Sequence, residues 1–570
     1  MLKEKDVLEV YDLKDMLVKT GTIYGEKEAY RLKDENGNIC IYTHKEVREM
    51  ITALGTALLD LGLKNKRIAI IGENSFEWQI AYLAIVCGVG TVVPLDKSLP
   101  ETELARLIGR SQVEAIFFTD KNEESLKNIV YSGIGKLRTL ISMNSKQNSQ
   151  GIYSEMELIK RGKHLLENGN TEYENIKINP DEMKIMVFTS GTTSESKVVA
   201  LSHNNIVSNL IGIKKAVNIN SDDKILSFLP LHHVFECTVG FLLSYYSGAR
   251  ISFSSGIRHI EENLNEYDIT IASFVPAIYE NFYKTVLRRL EKKGLLEEYL
   301  NLISEYENKT WEEKRKRFPI VYETFGGNSK LFITGAAAIS LEVLKNLRAW
   351  GINLCQAYGL TETSPIVGIE TDENNRLGSI GKAISNVEVK IEDEDEKGIG
   401  ELLVKGPNVM LGYYNNEEAT KEVFDEEKYF KTGDLAYIDE DGYIFIKGRK
   451  KSVIVLKNGK NIFPEEMENL LNRIEGVKES FVFGNSNSED KDDIKIFAKL
   501  VIDKEIIKNT YKVETDDEIY DELNKKIKEI NKVMPSYKAI RGIYLSEKPL
   551  IKTTTSKIKR QEEIKTIVQF

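Results

Sequence analysis

FTSGTTSESKVVALSH, from Phe188 to His203, sets a run of hydroxyls, one glycine and one lysine between an apolar run and a helix-like segment. These are ingredients of a loop that grips phosphate. A Walker loop needs a glycine, four further residues, then Gly-Lys followed by Ser or Thr. From Gly191 the chain reads GTTSESKV, so Ser196 stands where the second glycine would be and Val198 where the last hydroxyl would be. The dinucleotide pattern GxGxxG is missing from the stretch as well. What remains is a strand (IMVF), a hydroxyl-rich loop with Lys197, and a helix expected to begin near Ser202. Hydroxyls and backbone N–H groups can wrap a polyphosphate, and an ammonium adds a point charge. A polar turn ahead of a helix fits the same residues, and the stretch alone leaves both readings open.

The surrounding residues set the fold class. YTHKEVREMITALGTALLDLGL (Tyr42–Leu63) has apolar residues three and four apart, the period of a helix. RIAIIGEN follows as a short apolar strand, a second helix leads into TVVPLD, and another into VEAIFFTD. Strands alternating with helices predict parallel α/β structure. Apolar strands recur in KIMVFTS, ITIASFVP, SKLFITG and INLCQAYG. Open parallel sheets bind ligands beyond the carboxyl ends of their strands, so the polar residues after these runs are the candidate site. From Gly378, short alternating strands with glycine turns predict a small antiparallel barrel or sheet. Pro464–Phe570 mixes helices with strands such as ESFVFG and IKIFAKLVI. The expected fold is α/β: a large N-terminal domain of parallel sheets packed with helices, a small β-barrel-like subdomain, and a smaller α+β C-terminal domain. The glycine-basic segment Gly448–Lys451 places the expected boundary between residues 1–448 and 449–570. Val286–Phe318 is charged and helix-prone, and is expected to form a solvated helical hairpin. The alternative for this insertion is a basic amphipathic face that touches lipid.

A chain of 570 residues exceeds one ordinary core, which implies two or more domains. Hydrophobic content of 41% with 29% charged residues fits a soluble globular protein. A net charge of −10 argues against nucleic acid as the main partner. The four cysteines, Cys40, Cys87, Cys237 and Cys355, form no CxxC pair and read as reduced thiols. None of the six histidines lies at ligand spacing from them, so zinc is not expected. The N-terminus, MLKEKDVLEVYDLKDMLVKT, has no apolar core and does not read as a signal peptide. The longest apolar stretch, Ile80–Leu95, is broken by two glycines and a proline, and reads as a buried helix passing into a buried strand. The expected location is the cytoplasm, with peripheral contact at a membrane surface as the alternative.

Three further stretches bear on the chemistry. AYGLTETSP (Ala357–Pro365) follows the strand INLCQ and offers an aromatic ring, a glycine, a hydroxyl and a carboxylate. A ring can stack on a base, a threonine can bond a phosphate, and a glutamate can hold Mg2+. KTGDLAYIDEDGY puts Asp434 after a Thr-Gly turn, where an acidic side chain can hold ribose hydroxyls. KGRKKSVIVLKNGKNIFPEEME follows, and KTTTSKIKR (Lys552–Arg560) closes the series. In this order the set resembles the adenylate-forming superfamily of acyl-CoA synthetases, luciferases and nonribosomal peptide adenylation domains, over nearly the whole chain. TSGTTSESKVVALSH is similar to that family's phosphate loop, TSGTTGxPKGVxLSH, and AYGLTE, TGD, the GRxK hinge and the terminal TxxGK-like lysine also match. Within the superfamily the chain most resembles the long-chain fatty acid–CoA ligases. FLPLHHVFE (Phe228–Glu236) resembles their LPLxHxxE segment, and SFVPAIYEN their VPRxxE segment. The helical insertion ahead of FGGNSKLFITGAAAIS resembles theirs too.

The resemblance implies ATP-dependent conversion of a fatty acid to an acyl adenylate with release of pyrophosphate, then transfer to CoA. It implies that Thr189, Ser190, Gly191, Thr192, Thr193 and Lys197 cradle the β- and γ-phosphates. Gln356, Ala357, Tyr358 and Gly359 would line the nucleotide, with Tyr358 stacked on adenine, Asp434 on the ribose, and Arg449 on the ribose or phosphates. Thr361 would contact the α-phosphate and Glu362 would bind Mg2+. Lys557 would bridge the carboxylate and the α-phosphate, and His233 would lie beside the acyl carboxylate. Gly335, Ala336 and Ala337 would leave room for the acyl chain, and Lys451 would be the hinge of a mobile C-terminal domain. Ser194, Ser196, Val198 and Ser556 depart from the usual pattern, and Ala277 stands where many long-chain ligases have arginine. Two other functions stay open: transfer of the acyl group to an acyl carrier protein, and a catalytically inactive nucleotide-binding regulator.

Overall fold

The computed structural model describes residues 7–189, 196–371, 375–456, 461–486, 494–552 and 558–567. The apolar runs become the central strands of two sheets. One has eight strands, in spatial order Gly412–Tyr413, Val198–Ser202, Met183–Phe188, Gly90–Leu95, Lys66–Ile71, Ala115–Phe118, Thr139–Ser142 and Ile152–Ser154. From Met183–Phe188 onward its neighbours run parallel. The other has nine strands, with a parallel run from Arg250–Phe253 through Lys224–Ser227, Ile271–Phe274 and Leu331–Thr334 to Leu354–Gly359. Strands this uniformly buried need helices over both faces, which explains their unbroken apolar character.

One expectation at the opening stretch is corrected. The helix there spans His203–Ala216 with Ser202 as its N-cap, and the Asn205 side chain bonds back to the Ser202 N–H at 2.8 Å. Val198–Ser202 before it is not loop but a strand, antiparallel to Met183–Phe188, with Phe188 opposite Val198. The segment 189–197 therefore joins two strands of a hairpin instead of leading straight into a helix. The reason lies in the residues VVAL: they are buried, and the β-branched pair favours an extended backbone. Val198 occupies a buried strand position, so the glycine common there in the family is not required by this backbone.

One buried core draws residues from both sheets and includes Trp78, Tyr82, Tyr173, Phe241 and Tyr245. Ile80–Leu95 behaves as expected: helix Phe76–Ala84 passes through a wider turn, Ile85–Val89, into strand Gly90–Leu95. The 286–318 insertion does not form a solvated hairpin. Helix Pro276–Lys292 is followed by four shorter helices up to Thr324. Val286, Leu290, Tyr299, Phe318 and Val321 bury themselves against Phe282, Phe325 and Trp350. The charge run hid these apolar positions because they are too sparse to dominate any window.

The region after Gly378 forms a four-stranded antiparallel sheet, Glu388–Glu392, Gly400–Lys405, Phe430–Ile438 and Ile444–Arg449. The C-terminal part builds a three-stranded sheet (Val477–Ser486, Ile494–Ile502, Ile540–Ser546) with helices Pro464–Leu471 and Asp516–Val533. It has a core of its own around Met467, Leu471, Val482, Leu523 and Ile527. The result is mixed α/β, with a large N-terminal and a smaller C-terminal domain. Among the described residues no helix is long and apolar enough to cross a membrane.

Candidate active site

Some of the candidate residues follow the carboxyl ends of parallel strands, the place where open parallel sheets bind ligands. Strand Leu354–Gly359 delivers Gln356, Ala357, Tyr358 and Gly359 in succession. Gln356 is fixed on both sides: its backbone N–H donates to Glu370 at 2.8 Å and its Nε2 to the Ser379 carbonyl at 2.7 Å. A side chain at Gly359 would start 1.7 Å from the Pro365 carbonyl oxygen, so this glycine is demanded by the fold-back of the chain. The turn Thr361–Thr363 then presents Thr361 and Glu362, both half-buried.

Asp434 arrives from the antiparallel sheet. Gly433 before it has φ of +72°, which lets the strand kink, and Asp434 pairs opposite Arg449 on the next strand. The Asp434 carboxylate is buried and takes two donors: the Tyr358 phenol on Oδ2, and Arg449 Nε on Oδ1 at 2.8 Å. Burial first, and the neighbouring carboxylate second, push the Tyr358 phenol well above its ordinary range, so it stays a donor. Burial works against the Arg449 charge, but Asp434, Tyr358, Glu362 and Glu465 outweigh it and hold the guanidinium above its ordinary range.

Thr189 and Lys197 close the base of the loop. The Thr189 N–H donates to the Lys197 carbonyl at 2.9 Å, and its hydroxyl reaches the same oxygen at 3.3 Å. Ser190, Gly191, Thr192 and Thr193 lie outside the described residues, as do Ser194, Ser556 and Lys557. Two arginines on helix Glu101–Ser111 hold the exit of the loop. Arg110 Nη1 donates to the Ser196 carbonyl at 2.8 Å, and Arg106 Nη2 lies 3.4 Å from the Ser196 hydroxyl. Neither arginine carried a sequence signal of its own.

His233 stands in a tight turn after strand Lys224–Ser227. Its N–H donates to Pro230, and its ring lies 4.1 Å from that of His232. Burial lowers the pKa of His232 despite the Asp96 carboxylate 3.7 Å away, so His232 stays neutral. Behind the turn sits Glu236, fully buried, which takes the Ser227 hydroxyl at 2.7 Å and the backbone N–H groups of Phe228 and Leu229. Burial pushes its carboxyl up to about 8 against those three donors. The space at Gly335 is not free volume: a Cβ there would lie 3.1 Å from both the Ala357 carbonyl and the Phe235 ring. Ala336 and Ala337 are exposed, and Ala336 holds a left-handed φ of +69°. Lys451 is exposed in the short turn Lys450–Ser452, between strand Ile444–Arg449 and the C-terminal domain.

The donors suit a magnesium nucleotide. Mg2+ favours one or two carboxylates plus substrate phosphate oxygens, and Glu362 offers a half-buried carboxylate that shares the neighbour Tyr413 with Lys197. A residue that the sequence did not single out is Tyr413, whose hydroxyl bonds Glu362 and whose ring faces Lys197. Only the GYY spelling after GELLVKGPNVML marks it.

The chain is similar to known proteins in sequence and in fold. Residues 20–414 match the family described as AMP-binding enzyme, and residues 451–567 match the AMP-binding enzyme C-terminal domain. A long-chain-fatty-acid–CoA ligase of Rattus norvegicus is 30% identical over 484 residues, covering 78% of this chain and 69% of the relative. A chloroplastic long-chain-fatty-acid–acyl-carrier-protein ligase of Arabidopsis thaliana is 29% identical over 516 residues, covering 78% and 70%. In fold the chain resembles an O-succinylbenzoate coenzyme A synthetase of Bacillus subtilis, solved in complex with ATP and magnesium ion. The TM-score is 0.72 at 22% identity, with 96% of this chain and 99% of that one covered.

Proposed function

Because the chain belongs to the AMP-binding enzyme family, as an adenylate-forming acyl-CoA synthetase, we propose that it activates a long-chain fatty acid with ATP and hands the acyl group to CoA. The observation that carries this reading is that Tyr358 and Arg449 meet on Asp434, while Glu362, whose charge reaches Arg449, is joined to Lys197 through Tyr413. A carboxylate is a poor acyl donor because its leaving group would be oxide. Its attack on the α-phosphate of ATP gives an acyl adenylate, from which AMP departs easily when a thiol attacks. Negative charge gathers in the first step, so cations and fixed donors are what the site must supply.

Each residue takes a part that its position allows. Tyr358 offers its ring to adenine while Asp434 fixes the phenol and receives ribose hydroxyls, with Arg449 paired to that carboxylate. Thr361 lies two residues beyond the strand end, where it is offered to an α-phosphate. Lys197, with the loop of residues 189–197, takes the β- and γ-phosphates. When bound with ATP, Mg2+ offsets phosphate charge, and Glu362 is the carboxylate placed to hold it. His233, on its rigid turn, orients the acyl carboxylate. Lys557, by its register in TTTSKIKR, supplies the cation between carboxylate and α-phosphate. Lys451 is the hinge about which the C-terminal domain turns between the half-reactions.

Long-chain specificity is supported by the relatives' names and by the LPLHHVFE segment, while Ala277 in VPAIYE, where many long-chain ligases have arginine, weighs against it. An acyl carrier protein as acceptor is the second reading, supported by the chloroplastic relative. Incubation with ATP, Mg2+ and palmitate, plus either CoA or a carrier protein, separates the two by mass spectrometry of the product. Palmitoyl-CoA is expected. Acylated carrier protein without palmitoyl-CoA would overturn CoA as acceptor.

A further inference from the structure

One short segment, Met410–Tyr414, is laced between the two halves of the phosphate machinery. On one side its backbone is tied to the exit strand of the loop: Leu411 N–H donates to the Ala200 carbonyl at 3.0 Å, and Tyr414 N–H to the Val198 carbonyl at 2.8 Å. On the other, Met410 N–H donates to the Glu362 carbonyl at 2.8 Å. The side chain of Tyr413 repeats the bridge. Its hydroxyl donates to Glu362 Oε1 at 3.0 Å, and the Lys197 ammonium lies 4.4 Å from its ring centroid. Tyr413 itself is buried and anchored, with its N–H bonded to the Thr420 hydroxyl at 2.9 Å. Its neighbour Tyr414 is pinned by Arg67, which donates to the phenol at 2.7 Å and packs over the ring.

The geometry points to Tyr413 as the positioning residue that couples the magnesium carboxylate to the phosphate lysine. This inference rests on the nucleotide reading above. A glutamate side chain is flexible, and a half-buried carboxylate beside a cation could turn toward it. The phenol takes Oε1 and so fixes the direction of the carboxylate that would hold the metal. The ring face meanwhile holds the lysine by its quadrupole, without neutralising it and without giving it a carboxylate to pair with. Glu362 and Lys197 are thus kept ready and kept apart by one side chain.

Calorimetric titration with ATP, at several Mg2+ concentrations and in EDTA, tests the assignment on the full chain. Tyr413→Phe keeps the ring but not the donor. It should raise the Mg2+ concentration for half-maximal ATP binding by about 3–10-fold and leave binding in EDTA unchanged. Tyr413→Leu should weaken binding in EDTA as well, because the lysine loses its platform. An unchanged Mg2+ requirement in Tyr413→Phe overturns the inference, whatever the fate of the leucine variant. Failure of the wild-type chain to bind ATP overturns the inference together with the reading beneath it. ATP binding with no acid-dependent pyrophosphate release overturns the proposed reaction while the titration still decides on Tyr413.

Discussion

The phenol of Tyr358 and the guanidinium of Arg449 meet on the two oxygens of a single carboxylate, that of Asp434. Tyr358 ends a strand of the nine-stranded sheet, while Asp434 and Arg449 face each other in the antiparallel sheet. One buried charge therefore joins two sheets at the mouth of the site. Asp434→Asn should raise the KM for ATP by about 10–100-fold, because it removes a charge-assisted acceptor and leaves Arg449 without its partner. Tyr358→Phe should cost only about 2–5-fold, since the ring remains. ATP titrations of pyrophosphate release check both, and equal effects would count against Asp434 as the ribose ligand.

Glu236 predicts a pH dependence of stability. Its carboxyl, raised to about 8 by burial, binds a proton in the folded chain that the unfolded chain has lost above the ordinary glutamate value of 4.5. Its stabilising contribution is thus complete below about pH 4.5 and falls away as pH rises toward 8. Each unit of that raise is worth about 1.4 kcal/mol. Wild type should lose melting temperature between pH 5 and 8 more steeply than Glu236→Gln, which keeps an uncharged group of the same shape. Parallel melting curves for the two proteins would contradict the assignment.

Much of this fold can be read from the sequence because buried parallel strands have a plain signature. RIAIIG, IMVF and FITG are uninterrupted apolar runs, and each became a central strand. VVALS is as apolar, but it lies between a polar loop and a capped helix start and has no turn signal of its own, so its strand was hidden. The candidate residues that the sequence singled out lie inside ordered motifs: Tyr358, Glu362 and Asp434. Tyr413, Arg106 and Arg110 were not singled out, because their importance rests on partners brought close only by folding. Tyr413 is 51 residues from Glu362 in the chain, and Arg110 is 86 from Ser196.

Arg110 supplies a test of the loop anchor. Its hydrogen bond to the Ser196 carbonyl holds the loop exit at a position where the family commonly has proline. Arg110→Ala should raise the KM for pyrophosphate in ATP–pyrophosphate exchange by about 3–10-fold, with Arg110→Lys recovering part of the loss. An unchanged pyrophosphate KM would leave the contact without a role in the reaction.

The hinge assignment separates the half-reactions. Proline at an exposed turn fixes φ and should freeze the C-terminal domain in one pose. Lys451→Pro should therefore retain fatty-acid-dependent exchange and lose thioester formation. Lys557→Ala should lose exchange yet still form thioester from supplied acyl adenylate. Equal loss of both activities in either variant would argue against a swinging domain.

The central claim is that this chain makes an acyl adenylate from a fatty acid and then a thioester. Wild-type protein incubated with ATP, Mg2+, CoA and saturated fatty acids of increasing chain length tests it directly, with pyrophosphate and acyl-CoA both quantified. The account predicts pyrophosphate release that requires the acid, an equal yield of acyl-CoA, and a preference for long chains. No acid-dependent pyrophosphate with any chain length would contradict it.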